Sequence, residues 1–135
     1  MDSVTIKSAN GDASLVLSNR EPIDSTAEIA YFTATLINNQ LTASSRVYAA
    51  VAGGLPEFFD SVATNWQTFT GPESWSSLEC EFNVEITHDG LGHFNLRVSL
   101  DSPSADWELI SNVVIETAQL DRIASDIRSF IGTNS

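Results

Sequence analysis

The segment LECEFNVEITHDGLGHFNLRVSL, residues 78–100, carries the clearest structural pattern in the chain. Apolar and polar residues alternate on both sides of the turn 89–92, which is the period of a β-strand with one buried and one solvated face. The two glycines of the turn suit a tight connection, because such turns need positive φ angles. The segment predicts an antiparallel hairpin with its apolar side chains on one face.

Related patterns extend this hairpin toward the carboxyl end. Trp107, Leu109, Val113 and Ile115 predict a third strand of the same meander. A terminal helix should follow, with Thr117 as its N-cap and one apolar stripe that lies across the meander. The stripe consists of Leu120, Ile123, Ala124, Ile127, Phe130 and Ile131.

Two further hairpins are predicted in the amino-terminal half. The first joins residues 4–7 to 14–17 through an Asn-Gly dipeptide, and the second joins 31–37 to 41–51 through an Asn-Asn dipeptide. Residues 19–28, which are acidic and contain a proline, are predicted to form a surface loop between them.

The predicted fold is α+β and forms a single domain over residues 1–135. A helix is expected from about residue 56 to 68, followed by a loop that contains Trp75. The element order is therefore ββββ-α-βββ-α, a mainly antiparallel sheet with the helices packed on one face. Trp75 is a candidate exposed anchor for a partner.

Charge is the strongest compositional signal, with 18 Asp and Glu against 6 Lys and Arg and a net charge of −12. Nucleic acids and anionic membranes carry the same sign, so neither is an expected partner. A basic protein would be attracted with a raised association rate. The same charge would also suit a protein that acidity merely keeps soluble.

The chain has one cysteine, Cys80, which cannot form an internal disulfide and is predicted to be a small buried residue of a strand. No apolar run approaches the roughly 20 residues that span a bilayer, and the first residues do not resemble a signal peptide. We therefore expect a cytoplasmic protein. No motif that binds a phosphate, a dinucleotide or another cofactor occurs, and we expect the protein to have no cofactor.

Carboxylates of the predicted meander form the first candidate site. Glu79, Glu81 and Glu85 should share the solvated face of one strand, and Arg97, Glu108 and Glu116 should point the same way from neighbouring strands. Such an acidic wall is either a solvated sheet face or a protein-binding surface. Catalysis by paired carboxylates needs a cleft, which the outer face of a sheet does not supply.

The second candidate site is the turn that contains both histidines of the chain. His88, Asp89 and His93 are weak candidates for metal ligands. Strand parity argues against a shared site, because an odd connection between the two strands sends the histidine side chains to opposite sides. We therefore predict a hairpin scaffold here and no metal site.

The stretch from Trp75 to Phe130 resembles an uncharacterised family of small bacterial domains. The resemblance rests on Trp75, Leu78-Glu79, Thr87-His88-Asp89-Gly90-Leu91-Gly92-His93, Leu96, Val98, Trp107 and Leu120-Asp121-Arg122-Ile123-Ala124. It implies a fold and gives no catalytic residue. A looser likeness, in size, charge and lack of motif, is to the immunity proteins of bacterial toxin systems.

The function that we predict is a non-catalytic acidic binding protein, and concretely an immunity protein that neutralises a cognate toxin by covering a basic surface. One alternative is a small-ligand or metal-binding protein centred on the His88–His93 turn. Another is a self-associating structural module. The sequence leaves the oligomeric state open.

Overall fold

The computed structural model describes residues 2–22, 29–49, 54–102, 104 and 106–131. Within these residues the chain forms eight strands and two helices in the order ββββ-α-ββββ-α. The strands make two antiparallel sheets of four, each in sequential order. The α+β class is confirmed, whereas the predicted single sheet with three strands after the first helix is wrong.

The first sheet contains both predicted amino-terminal hairpins. Its strands are β1 (Val4–Lys7), β2 (Ser14–Pro22), β3 (Ile29–Asn38) and β4 (Leu41–Tyr48). β2 is longer than predicted, because a bulge near Asn19, whose φ is 56°, lets pairing with β3 resume at Glu21. The predicted loop 19–28 is therefore strand up to Pro22, and its remainder, 23–28, lies outside the described residues.

The second sheet contains the predicted meander and one additional strand. Its strands are β5 (Glu73–Ser76), β6 (Phe82–His88), β7 (His93–Asp101) and β8 (Glu108–Glu116). β5 is only four residues long and was predicted as loop. Trp75 on β5 pairs with Val84 on β6, and its ring lies 5.5 Å from that of Phe82. Trp75 therefore packs against the core, and its predicted role as an exposed anchor is not supported by its position.

The connection 77–81 explains why β6 begins later than its sequence pattern suggests. The Ser77 hydroxyl accepts a hydrogen bond from the Phe82 N–H at 3.1 Å, and the Cys80 N–H donates to the Ser77 carbonyl at 2.9 Å. These bonds close a turn in which Cys80 has a φ of 64° and is exposed. The predictions that Leu78 and Cys80 are buried strand residues are wrong, because their alternation with glutamates continues through a turn.

Two helices complete the described fold, α1 (Leu55–Asn65) and α2 (Thr117–Ile131). Five residues of the predicted stripe are buried on α2, and Ile131 is partly buried against the core. Thr117 does not act as the predicted N-cap, since its hydroxyl donates to the Gly92 carbonyl at 3.0 Å. Instead, the Gln119 side chain accepts the Glu116 N–H at 2.9 Å, which is one half of a capping box. No helix of the described residues is long and apolar enough to cross a membrane.

The core lies between the two sheets, with Phe32 of β3 at its centre. The Phe32 ring lies 6.3 Å from Phe82 of β6 and 6.1 Å from Phe130 of α2, both edge-on. The apolar face of the meander is therefore covered by the first sheet and α2 together, and not by helices alone as predicted.

β4 runs across the strands of the second sheet and not along them. Its first residues lie beside Trp107 and Leu109 at the start of β8, and Ser45 donates a hydrogen bond to the Asp101 carbonyl of β7 at 3.3 Å. Further along, Tyr48 lies beside Trp75 of β5. This crossing brings the start of β4 to one end of the second sheet.

Candidate functional site

Acidic charge is concentrated in the second sheet. Residues 73–116 contain nine Asp and Glu and a single Arg, which gives −8 of the chain's net charge of −12. Arg97 is the only lysine or arginine from position 73 to 121. The second sheet and its connections therefore carry most of the negative field of the molecule.

The predicted acidic wall is not formed at the first of its strands. Glu79 is exposed in the connection 77–81 and does not belong to a strand. Glu81 is only 5% exposed, and its Oε1 has no hydrogen-bond partner among the described residues. Glu85 is the one member on the outer face of β6, where it lies directly across from Arg97.

The other two predicted members of the wall lie on the outer face of β8 but far from each other. Glu108 and Glu116 are its first and last residues, and a strand rise of about 3.3 Å per residue separates them by roughly 26 Å. Glu108 is paired across from Asp101, whereas Glu116 is paired across from His93. The carboxylates are therefore divided between two ends of the sheet.

One of these ends, the acidic end, combines acidic and apolar side chains. β6 and β8 both start there, and the connection 77–81 lies beside the end of β7, where the Asp101 N–H donates to the Glu81 carbonyl at 3.0 Å. The acidic end comprises Glu79, Asp101, Asp106 and Glu108 together with the exposed apolar side chains of Leu41, Leu78 and Trp107.

Asp106 is held in place by hydroxyl groups of its own connection. Its Oδ1 accepts hydrogen bonds from the Ser102 hydroxyl at 2.5 Å and the Ser104 hydroxyl at 2.9 Å. These two bonds hold the pKa of Asp106 below its ordinary value, because they favour the ionised carboxylate. The acidic end therefore keeps this negative charge well below neutral pH.

A groove lined by apolar and hydroxyl side chains lies next to two of these carboxylates, because Asp106 and Glu108 flank Trp107 in the chain. It is open, has a volume of about 440 Å³, and lies between the start of β4 and the start of β8. Leu41 is 60% exposed and Trp107 39% exposed, and both line the same groove, whereas exposed apolar side chains are usually scattered singly over a surface. The lining residues are Leu41, Thr42, Ala43, Ser44, Trp107 and Leu109.

Arg46, the arginine of β4, is paired with a carboxylate of the first sheet. Arg46 makes two hydrogen bonds to the Glu21 carboxylate, at 2.9 and 2.8 Å, and its guanidinium lies 3.6 Å from the centre of the Tyr31 ring. The ion pair lowers the pKa of Glu21 and raises that of Arg46. Arg46 therefore neutralises Glu21 on the outer face of the first sheet and does not neutralise the acidic end.

The histidine turn is a scaffold in which the two rings separate as predicted. His88 is paired with Phe94 and shares its inward parity, whereas His93 is paired with Glu116 on the outer face. The Gly90 N–H donates to His88 Nδ1 at 3.1 Å, so the proton of the neutral ring lies on Nε2 and is donated to the Phe69 carbonyl at 2.8 Å. No group of three or more potential metal ligands occurs among the described residues.

Asp89 organises the same turn from its outer side. Its Oδ1 accepts the N–H of Leu91 at 2.7 Å and that of His93 at 3.2 Å, and its Oδ2 lies 3.0 Å from His93 Nδ1. The Leu91 bond is the main cause of the lowered pKa of Asp89, and the backbone and side-chain bonds to His93 add to it. Both carboxylate oxygens of Asp89 are therefore used to shape the hairpin.

Comparison with family models matches residues 6–134 to a family of unknown function, DUF6228. This chain belongs to the DUF6228 family. The resemblance to an uncharacterised family, which was drawn from Trp75 to Phe130, is thus confirmed and extends over nearly the whole chain. Comparisons with curated proteins and with solved structures give no match.

The DUF6228 match includes both walls of the groove and all carboxylates of the acidic end. Glu79 and Glu108 are residues of the predicted acidic wall, whereas the sequence pattern did not indicate Asp101 or Asp106 and predicted Trp107 on the buried face of a strand. One signal was present in the sequence, because Ser102, Ser104 and Asp106 are spaced as in a turn closed by hydroxyl bonds. No pattern in the neighbouring sequence indicated that Leu41 would line the groove.

The histidine turn of this DUF6228 chain depends on a glycine whose replacement should be costly. Gly92 has a φ of 99°, and a Cβ added there would lie 3.0 Å from the Thr117 hydroxyl oxygen. Gly92→Ala should lower the free energy of unfolding by about 1–2 kcal/mol, from backbone strain and from disturbance of the contact with α2. Urea denaturation measures this change.

Gly71→Ala is the matched control for that variant. A Cβ at position 71 would meet nothing within 4 Å, and no positive φ is required there. It should change the stability by less than about 0.5 kcal/mol. Equal effects of the two substitutions would contradict the account of the turn.

Proposed function

We propose that this DUF6228 protein is a non-catalytic binding protein that covers a basic surface of a partner protein. Its concrete form is an immunity protein that neutralises a cognate toxin. The acidic end carries the proposal, because it joins four carboxyl groups to an exposed tryptophan, and no lysine or arginine occurs from position 98 to 121.

The physical support is the balance of charge and apolar surface at this end. Like charges at Asp101, Asp106 and Glu108 repel one another, and a cationic surface relieves that repulsion while attracting the protein from a distance. Trp107 supplies large apolar area with little loss of side-chain freedom, as in the central residues of many interfaces. Charge then raises the association rate, and Trp107 slows dissociation.

Reversing two charges at the acidic end should slow association. The partner to use is the product of the reading frame immediately upstream of this gene, because immunity and toxin genes are expected to adjoin. Glu79→Lys with Glu108→Lys should lower the association rate constant about tenfold at low salt, an effect that shrinks as salt screens the charges. Association kinetics over a series of salt concentrations measure the change.

Glu73→Lys with Glu116→Lys is the matched control. Both residues are exposed, belong to the same sheet and lie at its opposite end, so this pair changes the net charge by the same amount. We expect a much smaller effect on the association rate. Equal slowing by the two pairs would show that only net charge matters, and absence of binding to the upstream product would overturn the proposed function.

Protection of cells supplies a second measurement. The upstream product should arrest growth when expressed alone, and coexpression of this protein should restore growth. The variant with lysines at positions 79 and 108 should restore it less well than the control variant. A harmless upstream product would contradict the immunity role while leaving the binding experiment interpretable.

A further inference from the structure

The groove at the acidic end runs along an open edge of the first sheet. β4 is the last strand of that sheet and is paired only with β3 among the described residues. An unpaired strand edge presents a row of N–H and C=O groups that another strand can use. The groove therefore offers backbone hydrogen bonds as well as apolar contacts.

The register of the hairpin identifies which groups are free. Asn38 and Leu41 flank its two-residue turn, and the Ala49 N–H donates to the Ala30 carbonyl at 2.7 Å. The backbone N–H and C=O groups of alternate residues, from Leu41 onward, therefore bond to β3. The backbone groups of the residues between them point away from β3. Thr42 and Ser44 direct their backbone groups outward, beside the groove.

We propose that β4 binds an extended, basic segment of the partner protein by strand addition. The inference rests on the proposed function and specifies how the same site holds its partner. In an added strand alternate side chains face Trp107 and Leu109, where an apolar residue fits. Lysines or arginines at the other positions of that side place their charges toward Asp106 and Glu108, which flank Trp107 in the chain, because their long stems can lie on apolar surface.

Charge complementarity is the reason to favour this occupant over a second copy of the chain. β4 of another copy would bring a second set of the same carboxylates to the groove, and like charges there oppose association. A basic strand relieves the repulsion. Self-association through β4 is thus an alternative outcome of the experiment.

The test uses the blocked peptide Thr-Lys-Thr-Val-Thr-Lys-Thr as a probe. We expect binding at low salt, with slower hydrogen exchange at the amides of Thr42 and Ser44. The same peptide with Glu in place of Lys should bind at least about tenfold more weakly, because its charges repel the acidic end. No binding of the lysine peptide at millimolar concentration would overturn the proposal.

Two methylated peptides test whether the backbone is used. One carries N-methyl groups on the threonines and the other on the lysines and valine, so only one of them loses the amides that face β4. The peptide that loses the amides facing β4 should bind at least about tenfold more weakly, because it loses hydrogen bonds to the strand. The other methylated peptide should bind nearly as tightly as the unmethylated one. Equal binding of both methylated peptides would overturn strand addition.

Ser44→Pro applies the same test from the side of the protein. Proline removes the outward N–H of an edge strand and leaves the bonds to β3 in place. It should weaken peptide binding about tenfold, whereas Ser44→Ala, which removes only the hydroxyl, should not. If the proline variant does not fold, the methylated peptides still decide the matter.

These outcomes separate the two proposals. Loss of charge dependence with retained methylation effects would overturn the basic partner but keep the strand edge as a binding site. Sensitivity of the upstream product to lysines at positions 79 and 108, with no effect of methylation or Ser44→Pro, would keep the proposed function and overturn strand addition. Concentration-dependent dimerisation that competes with the peptide would favour self-association instead.

Discussion

Replacement of Trp107 by alanine is expected to weaken binding of the upstream product about 30-fold, a loss of about 2 kcal/mol in binding free energy. Trp107 lies outside β8, is 39% exposed, and forms one wall of the groove at the acidic end. A partner that covers this end buries the indole and removes its remaining contact with water. The loss should appear mainly in the dissociation rate.

Leu91→Ala is the control for the tryptophan variant. Leu91 is 81% exposed and lies in the histidine turn, at the other end of the second sheet. Its replacement should change the affinity less than twofold, since scattered exposed apolar residues are normal on protein surfaces. Thermal unfolding of both variants should match that of the parent protein, so that a binding effect is not mistaken for lost stability. Equal affinities of all three proteins would exclude Trp107 from the interface.

Local pattern predicted much of the fold. Alternation along residues 82–88 and 93–101 is a property of the strands themselves, so the register of the meander and the opposite directions of His88 and His93 follow from it. Turn dipeptides located the amino-terminal hairpins for the same reason. Such signals act over a few residues and do not depend on the rest of the chain.

The errors arose where the structure depends on distant contacts. An alternating pattern specifies that one face is buried but not what covers it, so one sheet covered by helices and two sheets packed together look alike in sequence. The segment 78–81 alternates like a strand, but the hydroxyl of Ser77 closes a turn there. β5 was missed because four residues carry too little pattern to identify a strand.

The candidate site was predicted in its charge but not in its position. The sequence itself places most of the acidity in residues 73–121, since Arg97 is the only lysine or arginine there. Its division into two ends follows from the register of the second sheet, whereas the groove beside one of them requires β4 to cross the start of β8. That crossing brings Leu41 and Trp107 to the same groove, although they are far apart in the sequence.

The second large effect is an expected gain in folding stability on replacement of Glu81. Its side chain is 5% exposed, and one carboxyl oxygen lacks a hydrogen-bond partner in the part of the chain that the structure describes. A polar group that is buried without a partner loses its hydrogen bonds to water and gains none in the protein, which lowers stability. Glu81→Met, which keeps a long side chain and removes the carboxyl group, should therefore raise the free energy of unfolding by about 1–3 kcal/mol.

Urea denaturation measures that gain, and Glu79→Met is its control. Glu79 is in the same connection but exposed, so its replacement should change stability by less than about 0.5 kcal/mol. A destabilised Glu81→Met protein would contradict the account, since it would show that the carboxyl group is well satisfied. A more stable variant that also binds the upstream product less tightly would link the buried carboxyl group to the acidic end. Such a result would mean that the buried carboxyl group lowers stability but helps to position the binding surface, to which the Glu81 backbone is already joined through the N–H of Asp101.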